Sequence, residues 1–330
     1  MGESHEHHYL PQLLLREFGH GGARQWLWVY DKTTDNVFRG SVKKSAKRYD
    51  YNATARADGT TDDELERIFG SLETGGAPAL ARLRGLGVGL NGLDPLDRSN
   101  IAVFMAAQHL RVPAIRGAAE SAAKLWAAMQ IDRGLSGDPE MLAEWRRGDL
   151  EAVPPAGLVQ LELLSTGLDK LAERFFDMNW RVLQRGRPPW LVLGDAPVSP
   201  LRPPGIADDD WKGFAHPDVD IALPISPGRL LLINGTRRDD TIAVIDDEIA
   251  LGPGRHWVQE ANQATWTRAA RYIYGRSQAD LEAARLPLDP AQRQAVRRPK
   301  VKNLAPEIEV HARDFEILGA NPDGPGRPPG

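Results

Sequence analysis

Two adjacent histidines near the start of the chain, His7 and His8, are the side chains best suited to chemistry. A neutral imidazole at pH 7 can accept a proton from water or bind a divalent metal ion. Hydrolysis of a phosphodiester needs these two functions side by side, because one group activates water while another holds the metal. The pair therefore predicts His8 as a general base or metal ligand and His7 as a metal ligand.

The histidine pair, followed by Pro11, is similar to the opening of the metal-binding motif of some HNH-type nucleases. That motif continues into an asparagine and a further histidine on a hairpin and helix. Here Asn36 and Asn52 follow, but no histidine stands at that spacing, so the match is partial. The alternative is that the two imidazoles cap a helix N-terminus or hydrogen-bond a nearby carboxylate.

Two carboxylates could complete such a metal site. Glu66 and Glu73 are seven residues apart in a predicted helix, so they lie on one face, two turns apart. Oxygen ligands are those that Mg²⁺ and Mn²⁺ prefer, and the two glutamates are therefore candidate ligands for either ion. The alternative is that they form a solvated helix edge.

A polar pair on an apolar helix gives further candidates. Gln108 and Arg111 are three residues apart and share one helix face. A buried guanidinium needs a partner, so Arg111 could clamp a phosphate or pair with Asp195 to hold two parts of the chain together. Asp195 follows a predicted strand, where functional groups are common, although a carboxylate there can also cap its own turn. With His8, these three residues form the predicted catalytic set.

The composition excludes several classes of protein. The 330 residues include no cysteine, which rules out disulfides, thiolate catalysis and cysteine-rich zinc sites. A net charge of −4 does not favour a nucleic-acid binder over the whole surface, but it is compatible with a local basic groove. Nucleic acid or a phosphorylated small molecule is therefore a candidate partner, and residues 43–48 include four basic side chains.

The absence of membrane signals leads to an expectation about location. The first residues are too polar for a signal peptide, and no apolar run approaches the roughly 20 residues that span a bilayer. We therefore expect a soluble cytoplasmic protein with no membrane partner.

Hydrophobic periodicity predicts an α+β protein. We expect a helix in the segment 7–18 with Pro11 in its first turn, a hairpin at 25–42, a helical middle, then a strand-rich C-terminal part closed by a helix at 259–274. Strands gather at both ends instead of alternating with helices, which argues against a doubly wound parallel sheet.

Glycine and proline predict the breaks within the helical middle. Gly75 and Gly76 are expected to end one helix, and Pro113 is expected to kink or break another. Residues 85–92 are expected to form a glycine-rich loop.

The chain is expected to contain one α+β domain at residues 1–277, which could divide into two subdomains near residues 150–157. Residues 278–330 form a Pro-, Arg- and Gly-rich extension that we expect to be partly disordered.

Four motifs, taken in order, resemble a bacterial family known as domain of unknown function 4238. They are HHYLPQ at 7–12, LREF at 15–18, QHLRVP at 108–113 and GDAP at 194–197. The resemblance covers residues 6–277 and places Glu66 and Glu73 where the family has a helix with paired glutamates. At the GDAP turn the chain departs from the pattern, because Gly194 and Ala196 replace a hydroxyl and an amide position. The family implies a shared fold and carries no established reaction.

Two hypotheses from different classes follow. In the first, the chain is a metal-dependent hydrolase of the nuclease-like, phosphodiesterase type, with Mg²⁺ or Mn²⁺ bound near the histidines. In the second, it is a non-catalytic binding or regulatory protein whose polar cluster is structural.

Overall fold

The computed structural model describes residues 6–22, 25–49, 51–55, 61–134, 139–147, 156–202, 206, 210, 213–235, 241–246 and 257–288. The extension after residue 288 and most of the predicted sub-boundary at 150–157 lie outside these residues.

The first part of the chain combines short strands with long helices. Its elements are β1 (Glu6–His8), α1 (Gln12–Leu15) with a 3₁₀ turn at Arg16–Phe18, β2 (Trp26–Asp31), β3 (Asn36–Ser41), β4 (Lys47–Tyr49), β5 (Thr54–Ala55), β6 (Thr61–Asp62), α2 (Glu64–Gly85), β7 (Gly89–Gly92), α3 (Pro95–Leu110), α4 (Pro113–Gly134), α5 (Pro139–Arg147) and α6 (Ala156–Asp177).

The second part is mostly strands. Its elements are β8 (Asn179–Gln184), β9 (Leu193–Gly194), β10 (Ser199–Leu201), a 3₁₀ turn at Gly213–Ala215, β11 (Asp220–Ser226), β12 (Arg229–Asn234), β13 (Thr241–Asp246), α7 (Trp257–Arg268), β14 (Tyr272–Gly275) and α8 (Gln278–Arg285).

The predicted α+β class is confirmed. The largest sheet has the strand order β10-β11-β12-β8-β13-β7, and its pairings are antiparallel except for β13 with β8. The inner strands carry nearly continuous apolar runs, such as Leu230–Ile233 in β12, because both faces of this sheet are covered. Trp180 of β8 is fully buried in the main core.

A second sheet, in the order β3-β2-β14-β9, joins the two ends of the described chain. Its strands are all antiparallel, and β14 lies between β2 and β9 with Ile273 opposite both Tyr30 and Gly194. The predicted hairpin is therefore confirmed, but it is only half of a sheet. Helix α8 packs on α7, β14 and β2 and covers this sheet.

Helix α3 is the centre of the helical layer, where it packs between α2 and α6. Its start is set locally, because the Asp94 carboxylate accepts from the Leu96 N–H and Pro95 occupies the first turn. Its end is set by Pro113, as predicted: α3 stops at Leu110 and a separate helix begins at the proline.

The predicted helix end at Gly75 and Gly76 is wrong, because α2 runs unbroken from Glu64 to Gly85. Gly76 is there for close packing: a Cβ at this position would lie 2.9 Å from the Cβ and Cδ2 atoms of Phe104 on α3. A side-chain-free position lets the two helices approach, and this packing outweighs the low helix propensity of glycine.

Three other segments differ from expectation in part. The predicted helix led by Pro11 is present from Gln12, but the two histidines before it lie in a strand, β1. The glycine-rich stretch at 85–92 contains β7, and the predicted helix at 259–274 ends at Arg268, before β14. In each case pairing with a distant strand decides the conformation, which local propensity does not register.

Within the described residues, none of the helices has the length and hydropathy that would let it cross a lipid bilayer.

The close approach at Gly76 leads to a matched pair of substitutions on one helix. Gly76→Ala should lower the free energy of unfolding by about 1–2 kcal/mol, because overpacking against Phe104 exceeds the gain in helix propensity. Gly70→Ala on the exposed face, where a Cβ meets nothing within 4 Å, should raise it by about 0.5–1 kcal/mol. Denaturant unfolding of both variants measures the difference, and equal stabilisation by the two would contradict the packing role of Gly76.

Candidate functional site

Both histidines lie on the short ribbon formed by β1 and β4. The strands are antiparallel, with His7 opposite Arg48 and His8 opposite Lys47. Successive side chains of a strand point to opposite faces, so the two imidazoles face different surroundings. Because the two histidines are adjacent in a strand, their side chains lie on opposite faces of the ribbon, and each has its own set of partners.

His7 is buried and is held through both ring nitrogens. Its Nδ1 accepts from the backbone N–H of Asn52 at 2.9 Å, and its Nε2 lies 3.7 Å from Oδ1 of Asp63. The Asn52 side chain donates to Oε2 of Glu66 at 2.6 Å. His7 and Glu66 therefore fix the loop after β4 to the start of α2, each by contacts with other protein groups.

His8 faces α1 and the end of α3. Its Nε2 lies 2.9 Å from Nε2 of Gln12, whose Oε1 accepts from Arg16 at 2.7 Å. Because an amide nitrogen can only donate, Nε2 of His8 is the acceptor, and the ring proton lies on Nδ1. Burial and then the charges of Lys47 and Arg111 lower the pKa of His8 to about 4, so the imidazole is neutral at pH 7.

Arg111 caps α3 and is almost completely buried. Its Nη2 lies 2.8 Å from Oε1 of Glu73, and its guanidinium carbon lies 4.9 Å from the centre of the Phe69 ring. The predicted partner of Arg111, Asp195, is not the one it uses. The salt bridge to Glu73 joins α3 to α2, and Gln108 joins α3 to the N-terminal segment by donating to the carbonyl of Tyr9 at 3.0 Å.

Asp195 lies at a different place, the corner between α7 and β14. Its two oxygens accept from the backbone N–H groups of Ala270, Arg271 and Tyr272 at 2.7–2.9 Å. Burial raises the pKa of Asp195, and the three N–H donors and the nearby Lys32 ammonium oppose that shift. The Asp195 carboxylate therefore stabilises the turn between α7 and β14, because both of its oxygens accept hydrogen bonds from backbone N–H groups of that turn.

The structure thus places most of the predicted site residues in contacts between the N-terminal segment, α2 and α3, whereas Asp195 accepts from the backbone N–H groups of residues 270–272. We call the group around the two imidazoles the histidine network. Its members are His7, His8, Gln12, Asn52, Asp63, Glu66, Glu73, Gln108 and Arg111. Across the ranges that the structure describes, no three His, Asp or Glu side chains are placed to hold a metal ion. Gln12, Asn52 and Asp63 were not predicted, since only the tertiary contacts of the two histidines identify them.

A separate cavity of about 560 Å³ lies on another part of the surface. We call it the arginine-lined cavity. It is lined by Glu17, Gly19, His20, Gly21, Arg84, Trp190, Ser226, Pro227, Gly228, Arg229 and Arg276. These residues come from five separated segments, and no motif in the sequence marks them as a group.

Comparison with known proteins confirms the expected resemblance. The family model described as protein of unknown function (DUF4238) matches residues 6–279. No curated protein and no solved structure matches the chain. The geometry of the chain itself must therefore supply any argument about function.

The cap at Asp195 predicts a large effect on stability. Asp195→Asn should lower the free energy of unfolding by about 3 kcal/mol, because an amide offers one acceptor oxygen to three buried N–H donors. Asp169→Asn, at an exposed position of α6, makes the same chemical change and should shift it by less than about 0.5 kcal/mol. Chemical denaturation compares the two, and an equally small effect at both positions would exclude the cap.

The depressed pKa of His8 predicts that stability depends on pH. The unfolded chain binds a proton at His8 near pH 6.5, whereas the folded protein binds it only near pH 4. Stability is therefore full above pH 6.5 and falls as the pH drops towards 4, by on the order of 1–2 kcal/mol after allowance for solvent screening.

Unfolding of the wild type and of His8→Gln at pH 7, 5.5 and 4.5 measures this contribution. The stability difference between the two proteins should change with pH. Proton NMR should show one imidazole titrating far below the ordinary range, and a His8 that titrates near pH 6.5 would refute the prediction.

Proposed function

Because the chain belongs to this family of proteins of unknown function, we propose a role from its own contacts. We infer an intracellular, non-catalytic binding protein in which the histidine network is structural. The network packs the N-terminal segment onto α2 and α3.

One observation carries this proposal: the groups predicted to do chemistry are already in contact with other groups of the protein. Glu66 accepts from Asn52, and Glu73 pairs with the guanidinium of Arg111. Both nitrogens of His7 face protein groups. A catalytic site needs groups aimed at a space where substrate can lie, whereas these are aimed at neighbouring segments.

The contacts also explain why such a network is useful. β1 has three residues and pairs only with β4, which is equally short. An isolated two-stranded ribbon is marginal in water, so it needs other anchors. Gln108, Asn52 and the ion pair of Arg111 with Glu73 provide them, and polar contacts between distant segments favour a single packing.

A second candidate, the metal-dependent phosphodiester hydrolase, is favoured by one specific observation. His8 is half-buried and neutral at pH 7, and two cations, Lys47 and Arg111, lie near it. Nε of Arg111 is buried and has no hydrogen-bond partner among the described residues. In this reading His8 is the general base, Arg111 binds phosphate, and Mg²⁺ or Mn²⁺ requires His7, Glu66 and Glu73 to leave their present partners.

A cleavage assay separates the two candidates. Purified protein is incubated with single-stranded and double-stranded DNA and RNA in Mg²⁺, Mn²⁺, Zn²⁺ or chelator, in parallel with His8→Ala. We expect no metal-dependent cleavage by either protein. Cleavage by the wild type that chelator and His8→Ala both abolish would overturn the proposal and establish the hydrolase.

The same preparations provide a positive test of the structural role. Arg111→Gln should lower the free energy of unfolding by about 2 kcal/mol, because the buried Arg111 side chain loses its ion pair with the partly exposed Glu73 and its contact with the Phe69 ring. Arg67 lies on the same helix as Glu73, and its exposed side chain pairs with Asp62. Arg67→Gln removes the same charge and should lower the free energy of unfolding by less than about 1 kcal/mol. Similar stability of the two variants would count against the structural role.

A further inference from the structure

We propose that the arginine-lined cavity binds a nucleoside phosphate. Its volume of about 560 Å³ lies within the range of roughly 300–1,000 Å³ that is usual for sites of small organic ligands. It is much larger than a phosphate ion alone requires. The assignment names a ligand for the proposed binding role and rests on it, although the cavity shares no residue with the histidine network.

The first argument is the balance of charge in the lining. Three arginines, Arg84, Arg229 and Arg276, face one carboxylate, that of Glu17. A concave surface with an excess of positive charge attracts anions, and the effect is stronger where the walls exclude water. The chain as a whole has a net charge of −4, so this excess is a local feature and does not reflect the composition.

Arg229 is the central group of this argument. Its guanidinium donates to the carbonyl of Leu86 and to Oε1 of Gln184, both of which are neutral acceptors. Burial lowers the pKa of Arg229, and no neighbouring carboxylate opposes that shift. Among the described residues only neutral groups hold this partly buried cation, so a bound anion would stabilise it. A phosphate suits the planar fork of a guanidinium.

The other two arginines come from different elements and contact different lining residues. Nη2 of Arg84 lies 3.6 Å from Oε1 of Glu17, a loose pair that a phosphate oxygen could join. Arg276 is exposed, and its guanidinium carbon lies 5.5 Å from the centre of the Trp190 ring. The cavity thus places cations on more than one side of the space, as binding of a multiply charged group requires.

The second argument is the organic part of the ligand. Trp190 contributes an aromatic wall, and aromatic rings stack on nucleobases whatever the base. The wall is tightly built, since a Cβ on Gly228 would lie 2.7 Å from the carbonyl oxygen of Arg185 and 3.3 Å from the Trp190 ring. Glu17 supplies an acceptor for sugar hydroxyls or an exocyclic amine. Arginines, an aromatic ring and one carboxylate together match a nucleoside phosphate better than a simple anion.

The test is isothermal titration calorimetry on the full chain with four nucleoside 5′-monophosphates: AMP, GMP, CMP and UMP. Parallel titrations use adenosine, ribose 5-phosphate and inorganic phosphate. We expect at least one nucleotide to bind. If AMP binds, adenosine should bind at least tenfold more weakly than AMP. Ribose 5-phosphate and inorganic phosphate should both bind more weakly than the nucleotide.

Variants then place the ligand in the cavity. Arg229→Gln and Arg276→Gln should each weaken nucleotide binding about tenfold or more, the effect expected for losing one charge-assisted contact. Arg67→Gln is the matched control, because it lies on the same helix as Arg84 but about 25 Å away along its axis. Arg276 is exposed, so its substitution tests the site even if Arg229→Gln disturbs folding.

Several results would overturn the inference. These are no binding of any nucleotide at millimolar concentration, equal affinity for inorganic phosphate and nucleotide, or equal weakening by Arg67→Gln and Arg276→Gln. Failure here is distinct from failure of the proposed function, because metal-dependent cleavage tests the histidine network and nucleotide binding tests the cavity.

Discussion

Two buried charges at the corner between α7 and β14 hold the fold closed. The ammonium of Lys32, at the end of β2, donates to the carbonyls of Trp266 and Ala269 at 3.0 and 2.9 Å. Asp195 accepts the three backbone N–H groups that follow them. The Lys32 ammonium therefore donates to carbonyls at the end of α7, and the Asp195 carboxylate accepts from the first N–H groups of the turn. At an exposed helix end, water would make these hydrogen bonds instead.

The second sheet depends on this corner. β14 lies between β2 and β9, so the N-terminal hairpin becomes part of a four-stranded sheet only if the chain turns sharply after α7. A salt bridge from Arg271 to Asp31 lies beside the turn, with Nη2 to Oδ2 at 2.7 Å. Burial raises the pKa of Asp31, but hydrogen bonds from Arg271 and Thr33 outweigh it and lower the pKa to about 2. Segments about 240 residues apart are thereby fixed against each other.

The histidine network and the arginine-lined cavity illustrate two uses of charged side chains. In the network, charged and polar groups contact one another across segments, as Arg111 contacts Glu73, and these contacts fix the packing of α2 on α3. In the cavity, three arginines line the same wall surface as a single carboxylate, and we propose that their charge serves a bound anion. The sequence motifs emphasise the network, whereas only Glu17 of the cavity lies in a motif, the LREF segment at 15–18.

The sequence by itself determined the fold class, the family, the hairpin and the break at Pro113, because these follow from local patterns of apolar residues and turn formers. It also marked His8, Gln108 and Arg111 as polar groups that belong together. Only the tertiary structure decided their roles. Strand pairing put His7 and His8 on opposite faces of β1. The packing of α2 on α3 paired Arg111 with Glu73, and the N–H groups of the turn before β14 became the donors to Asp195. The physical reason is that a polar side chain takes its role from the donors and acceptors that distant segments bring to it, and those are absent from its own stretch of sequence.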